Sequence, residues 1–125
     1  MVRIVSDSST LYSSAQAREA GFTVAPLSVT IAGKSYKELE EIQLEEFVSI
    51  IGQGHMPTSS QPALGDVIAM YEACGHDEVI NISMADGLSG TYSTAVAAAP
   101  PLPRTRAFLP ARGTPKASRA WVRPK

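Results

Sequence analysis

All twelve acidic residues of this 125-residue chain precede Ala99, whereas residues 100–125 hold seven of its eleven lysines and arginines, six of its nine prolines and no acid. A core must therefore be built from residues 1–99, which carry four bases against twelve acids, a net −8, while the tail carries +7. Pro100-Pro101-Leu102-Pro103 breaks any helix. Beyond Pro103 the chain has neither helical nor strand periodicity, and the proline and uncompensated positive charge of the tail predict disorder over 100–125. The change at Pro100 is as abrupt as a shift of reading frame would make it.

Within residues 1–99 strand and helix signals alternate. Val2, Ile4 and Val5 suit a short strand, and Asp7-Ser8-Ser9-Thr10 a turn built from side chains that bond neighbouring backbone. Leu11 to Ala20 reads as a helix stopped by Gly21. Phe22 to Ile31 reads as a strand with Pro26 at an edge or bulge, and after Gly33 the segment Lys34-Ser35-Tyr36 is a brief return strand or extended loop. Apolar residues between Ile42 and Ile51 fall on roughly one helical face, and Ala63 to Ala73 offers Val67, Ile68, Met70 and Tyr71 for another helix. Glu78 to Ser83 is a clear strand, and Ser89 to Ala99 is alanine-rich and helical in propensity. This order implies an α/β fold with a mainly parallel sheet flanked by helices and right-handed crossovers. Ligands gather at the carboxyl ends of the strands of such a sheet, where the loops after Ser6 and Ser83 emerge.

The composition, 44% hydrophobic with a net charge of −1, fits one soluble domain. No apolar run reaches bilayer length and the amino-terminus lacks a signal-peptide core, so a cytoplasmic protein without a transmembrane segment is expected. A single cysteine, Cys74, excludes an intrachain disulfide, and His55 and His76 with scattered acids show no metal-ligand spacing. Seven tail cations and Trp121 can attract nucleic acid or an anionic membrane without specificity, and an interaction protein with a basic tail is one alternative.

Two hydroxyl-rich loops, Pro57-Thr58-Ser59-Ser60-Gln61-Pro62 and Gly87-Leu88-Ser89-Gly90-Thr91-Tyr92, each lead directly into a helix segment. A helix start presents unpaired N–H groups and partial positive charge, so hydroxyls gathered there can hold a carboxylate or phosphate. The same residues are also ordinary caps and turn formers. No phosphate-binding glycine pattern is present. A small hydrolase or transferase using Ser89 is a further alternative, although Thr91 stands where a nucleophile elbow needs glycine and both histidines lie upstream.

Taken together, Val5-Ser6-Asp7-Ser8-Ser9, Val24-Ala25-Pro26-Leu27-Ser28-Val29, Gly33-Lys34-Ser35-Tyr36, Pro57-Thr58-Ser59-Ser60-Gln61-Pro62 and Leu88-Ser89-Gly90-Thr91-Tyr92 resemble, in order and spacing, the amino-terminal half of a DegV family protein over residues 2–99. The resemblance implies a lipid-binding protein rather than an enzyme, with no cofactor. Its ligand would be a long-chain fatty acid held between two domains, its carboxylate presented to a separate fatty acid kinase. Thr58, Ser59, Ser60, Ser89, Gly90 and Thr91 would form the carboxylate site, with Asp7 and Ser8 supporting the same edge. Ser59 stands where threonine is common, and Ala63 where a hydroxyl residue is common. The family's carboxy-terminal domain has no counterpart in the sequence, so residues 1–99 are expected to form an incomplete family unit that binds fatty acid weakly.

Overall fold

The computed structural model describes residues 1–99 and the backbone of residues 105–108. Strand β1 (Val2–Asp7) leads through a 3-10 turn (Ser8–Thr10) into helix α1 (Ser14–Glu19) and strand β2 (Thr23–Ala25). Next come strands β3 (Ser28–Ile31) and β4 (Lys34–Lys37), helix α2 (Leu44–Gly52) and strand β5 (Thr58–Ser60). Helix α3 (Leu64–Glu72), strand β6 (Glu78–Ile82), helix α4 (Thr91–Ala98) and strand β7 (Thr105–Phe108) complete the order.

Four strands form a wholly parallel sheet in the order β2-β1-β6-β7. A second sheet, β4-β3-β5, is antiparallel. The mixed α/β architecture with a helix-flanked parallel sheet is as expected from the sequence; the second sheet is new. Each sheet has its own apolar cluster. Val5, Ala25 and Val79 of the parallel sheet bury against Val67, Met70, Tyr71 and Cys74 at α3 and Ala98 of α4. Val29, Ile31 and Ile42 form the other cluster, with Tyr36, Phe47 and Ile50 packed on it. Only part of the α2 face expected to be buried reaches this cluster, because Leu44, Val48 and Ile51 remain exposed.

Local chemistry explains the boundaries. Helix α1 starts at Ser14 rather than at Leu11 because Leu11 closes the 3-10 turn with φ of 65°, and Ser13 then caps the helix in a reciprocal pair with Gln16. It ends as anticipated at Gly21: with φ of 89°, this residue lets its own N–H reach Arg18 O while that of Phe22 reaches Ala17 O.

The segment from Phe22 to Ile31, expected as one strand, is two strands in different sheets. Pro26 offers no N–H, and the next amide, Leu27, donates to Ser8 Oγ at 2.9 Å instead of to a strand. The chain thus passes from the parallel sheet to the antiparallel one. Ala32 and Gly33, both with positive φ, make the two-residue turn that pairs β3 with β4. Thr58–Ser60, expected as a loop, is strand β5, its backbone recruited by β3.

The sequence suggests no strand after Ala99, yet residues 105–108 pair in parallel with β6, from Val79 opposite Thr105 to Ile82 opposite Phe108. A parallel ladder is satisfied by backbone groups and needs no side-chain alternation, which is why periodicity gives no sign of it. The rest of the stretch expected as a disordered tail lies outside the described residues.

Candidate functional site

The exits of β1 and β6 are tied together by one carboxylate. Asp7 is 1% exposed; its Oδ1 accepts the Ser9 N–H at 2.8 Å and its Oδ2 the Met84 N–H at 2.8 Å. Its neighbour Ser8 is equally buried, accepts from Leu27 N–H, and donates to Glu38 Oε2 at 3.3 Å. Both residues expected from the sequence to support the site therefore stand at the carboxyl edge of the parallel sheet, with their polar groups engaged in holding loops.

Glu38 carries no signal in the sequence. Its backbone N–H donates to Leu27 O at 2.8 Å, and its half-buried carboxyl is pushed above the ordinary carboxylate range by desolvation, with the negative charge of Asp7 adding to the rise. The next acids extend the strap: Glu40 accepts the Ser14 N–H at the start of α1, and Glu41 the Lys37 N–H. Lys37 in turn reaches Asp66 of α3 at 2.9 Å, a contact that raises the lysine's pKa. Nothing in the sequence singles out these acids; the fold gives each a separate backbone or hydroxyl partner.

Thr58, Ser59 and Ser60 are exposed on β5. Pairing sets Thr58 opposite Thr30, Ser59 opposite Val29 and Ser60 opposite Ser28. Because successive strand residues face opposite sides, Thr58 and Ser60 share the hydroxyl-bearing face with Thr30 and Ser28, while Ser59 faces the side of buried Val29. The structure thus brings Thr58 together with Ser60 and separates Ser59 from both.

The second loop folds into the start of α4. Ser89 Oγ lies 2.7 Å from Thr91 Oγ1 and accepts the Thr91 N–H at 3.2 Å, so the two hydroxyls form one knot at the first helical residue. Thr91 is buried and Ser89 partly so. Thr94 Oγ1 donates to Gly90 O, tightening the first turn. The N–H groups of Tyr92 and Ser93 come next in this turn, where a helix supplies no acceptor of its own.

The two hydroxyl segments meet through Gln61, which directly succeeds β5. Its side-chain amide lies so close over Gly90 that a Cβ at position 90 would come within 2.7 Å of Oε1 and 2.9 Å of Cδ. A larger residue at 90 would oblige the exposed end of Gln61 to move, while the φ of Gly90 is ordinary. Beneath this point a buried polar link joins α3, β6 and α4: Asn81 Nδ2 donates to the Tyr71 hydroxyl, which donates to Ala95 O at 3.4 Å. Burial raises the Tyr71 pKa. The sequence alone assigns no role to Gln61 or Asn81. Gln61 lies inside one of the hydroxyl-rich motifs, but its partner is 29 positions away.

Among the described residues no group of three or more histidine, cysteine or acidic side chains could hold a metal ion. Nor, among them, is any helix long and apolar enough to cross a membrane.

Comparison with known proteins agrees with this architecture. A family model described as an uncharacterised protein of the DegV family matches residues 1–110, so the match extends through β7. A DegV domain-containing protein of Staphylococcus aureus is 43% identical over 94 residues, covering 74% of this chain and 34% of the relative. A DegV domain-containing 15.5 kDa protein of the same species is 40% identical over 97 residues, covering 76% of this chain and 69% of the relative. Among solved structures, a fatty-acid-binding DegV family protein from Thermus thermophilus superposes with a TM-score of 0.75 at 30% identity, over 86% of this chain and 40% of that one. DegV of Bacillus subtilis, described as a fatty acid binding protein, does so with a TM-score of 0.72 at 32% identity, over 86% and 39%. This chain thus spans only about a third of the length of the first of these relatives. The motifs, the two-sheet architecture and the family match over residues 1–110 agree that the chain belongs to the DegV family.

Proposed function

We propose that this chain carries the head-group half of a fatty-acid site: the hydroxyls of Thr58, Ser59 and Ser60 on β5 and the Ser89–Thr91 knot at the start of α4 form one wall against an acyl carboxylate. The observation that carries this reading is the Gln61–Gly90 contact, which draws the two hydroxyl segments together. The fatty-acid binding described for the Thermus and Bacillus relatives supports the ligand class. Ser59 lies on the other side of β5 from Thr58 and Ser60, the side that strand alternation continues toward Gln61, and so stands with the residues that meet Gly90. Asp7 and Ser8 act through the loops that their side chains hold.

Magnitudes define the limits of such a half-site. Hydrogen bonds to a charged group contribute about 1.5–3 kcal/mol each, enough to select a carboxylate but not to hold it tightly. Affinity must come from the chain, at about 0.8 kcal/mol per buried CH₂. We assign that enclosure to sequence that the longer relatives possess beyond the region matched here. The same reading makes the protein a cytoplasmic carrier rather than an enzyme, presenting the carboxylate to a separate kinase. Ser89 is bonded to Thr91, an arrangement suited to accepting a ligand rather than to generating a nucleophile.

The test is calorimetric titration of the purified polypeptide with palmitate. Weak binding, reduced further by Ser89→Ala, is expected. Submicromolar affinity would overturn the assignment of enclosure to other sequence, and turnover of an acyl ester abolished by Ser89→Ala would overturn the carrier reading.

A further inference from the structure

We infer that Gln61 is a positioning residue, whose side chain sets how the end of β5 meets the Ser89–Thr91 knot. The inference rests on the head-group reading for its purpose, but its geometry stands independently.

Three observations lead to it. Gln61 directly succeeds Ser60, the last residue of β5, so it lies where the chain leaves that strand. Its side chain crosses to the other segment, where Oε1, Cδ and Nε2 lie 2.7, 2.9 and 3.1 Å from the place a Cβ on Gly90 would occupy. All three atoms of the amide end thus lie close to Gly90, and a Cβ there would push the end of the glutamine aside. Gly90 is flanked by Ser89 and Thr91, which are bonded to one another and so move as a unit. A shift at Gly90 is therefore a shift of the knot.

Gln61 is itself exposed, and the buried Pro62 comes next. Proline fixes the chain just after Gln61, limiting the directions its backbone can take. An exposed glutamine contributes little to the core, so its contact with Gly90 acts on geometry rather than on stability. Movement of either partner would alter how the end of β5 sits against the Ser89–Thr91 knot.

The experiment is nuclear magnetic resonance on the 15N-labelled chain, comparing wild type, Gln61→Ala, Gly90→Ala and the double variant, first alone and then with sodium octanoate, a soluble carboxylate. Without ligand, Gln61→Ala is expected to move the amide resonances of Ser89, Gly90 and Thr91, and Gly90→Ala to displace the Gln61 side-chain amide. Melting temperatures should stay close to wild type. The double variant should perturb the knot no more than the larger of the single ones, the non-additivity of a shared contact. Unmoved Ser89–Thr91 resonances in Gln61→Ala, or fully additive perturbations, would overturn the inference whatever octanoate does. With octanoate, the single variants should weaken binding by about threefold or more, the lower range for coupled neighbours. Octanoate that shifts neither segment of the wild type would count against the head-group reading, while the ligand-free comparison would still decide the role of Gln61.

Discussion

Asp7 accepts the Met84 N–H across the carboxyl edge of the parallel sheet, joining the exit of β1 to the loop after β6, residues 77 positions apart. The same carboxylate takes the Ser9 N–H, so one buried side chain ties the turn after β1 to the loop after β6. Asp7→Ala would leave both amides without this acceptor. A hydrogen bond to a charged group contributes about 1.5–3 kcal/mol, and urea denaturation is expected to show a loss of about 3 kcal/mol. Asp7→Asn, which retains one accepting oxygen, should lose less.

Glu38 gives the fold a pH dependence of definite sign. Burial raises its pKa in the folded state, so between the unfolded and folded values the native protein binds more protons than the unfolded chain. Stability contributed by this group is therefore present at low pH and falls as pH rises through the folded pKa. Glu38→Gln keeps an acceptor for Ser8 and removes the charge. Thermal melts should find the variant above wild type at neutral pH, with the difference shrinking on acidification; a difference independent of pH would contradict the assignment.

Tyr71 and Asn81 form a buried polar pair in which each depends on the other. Tyr71→Phe removes the acceptor for Asn81 Nδ2 and the donor to Ala95 O. Leaving buried polar groups unsatisfied costs about 1–3 kcal/mol, measurable as a lower denaturation midpoint with unchanged slope.

Helix α1 has only six residues and starts with a reciprocal cap between Ser13 and Gln16. A helix this short is marginal without its cap. Ser13→Ala is expected to cost about 1 kcal/mol and to speed amide exchange within α1 before it affects β6.

The sequence makes some of these features plain and hides others for identifiable reasons. β1, β6, α3 and α4 are legible because each has local apolar or alanine-rich patterning, and Gly21 marks the end of α1 by its conformational freedom. The division of residues 22–31 is only half visible: Pro26 announces an irregularity, but the partner that takes the Leu27 amide is Ser8, far back in the chain. β5 is invisible locally because Thr58-Ser59-Ser60 is equally good turn chemistry, and it becomes a strand only when β3 lies beside it. The hydroxyl motifs point to the neighbourhood of the candidate site. They give no indication that Ser59 and Ser60 face opposite sides, or that Gln61 reaches Gly90, since both depend on pairings that no single segment contains.

Ser8, Leu27 and Glu38 close a small ring: Leu27 N–H donates to Ser8 Oγ, the Ser8 hydroxyl donates to Glu38, and Glu38 N–H donates to Leu27 O. Leu27 is where the chain enters the β3–β4 hairpin, and Glu38 is where it leaves. The two jambs of this doorway are bonded directly to each other, and the Ser8 hydroxyl bonds to both. Because β3 starts beside this doorway and β5 pairs with β3, the hydroxyl that follows β1 moors the strand carrying Thr58–Ser60 to the end of the parallel sheet.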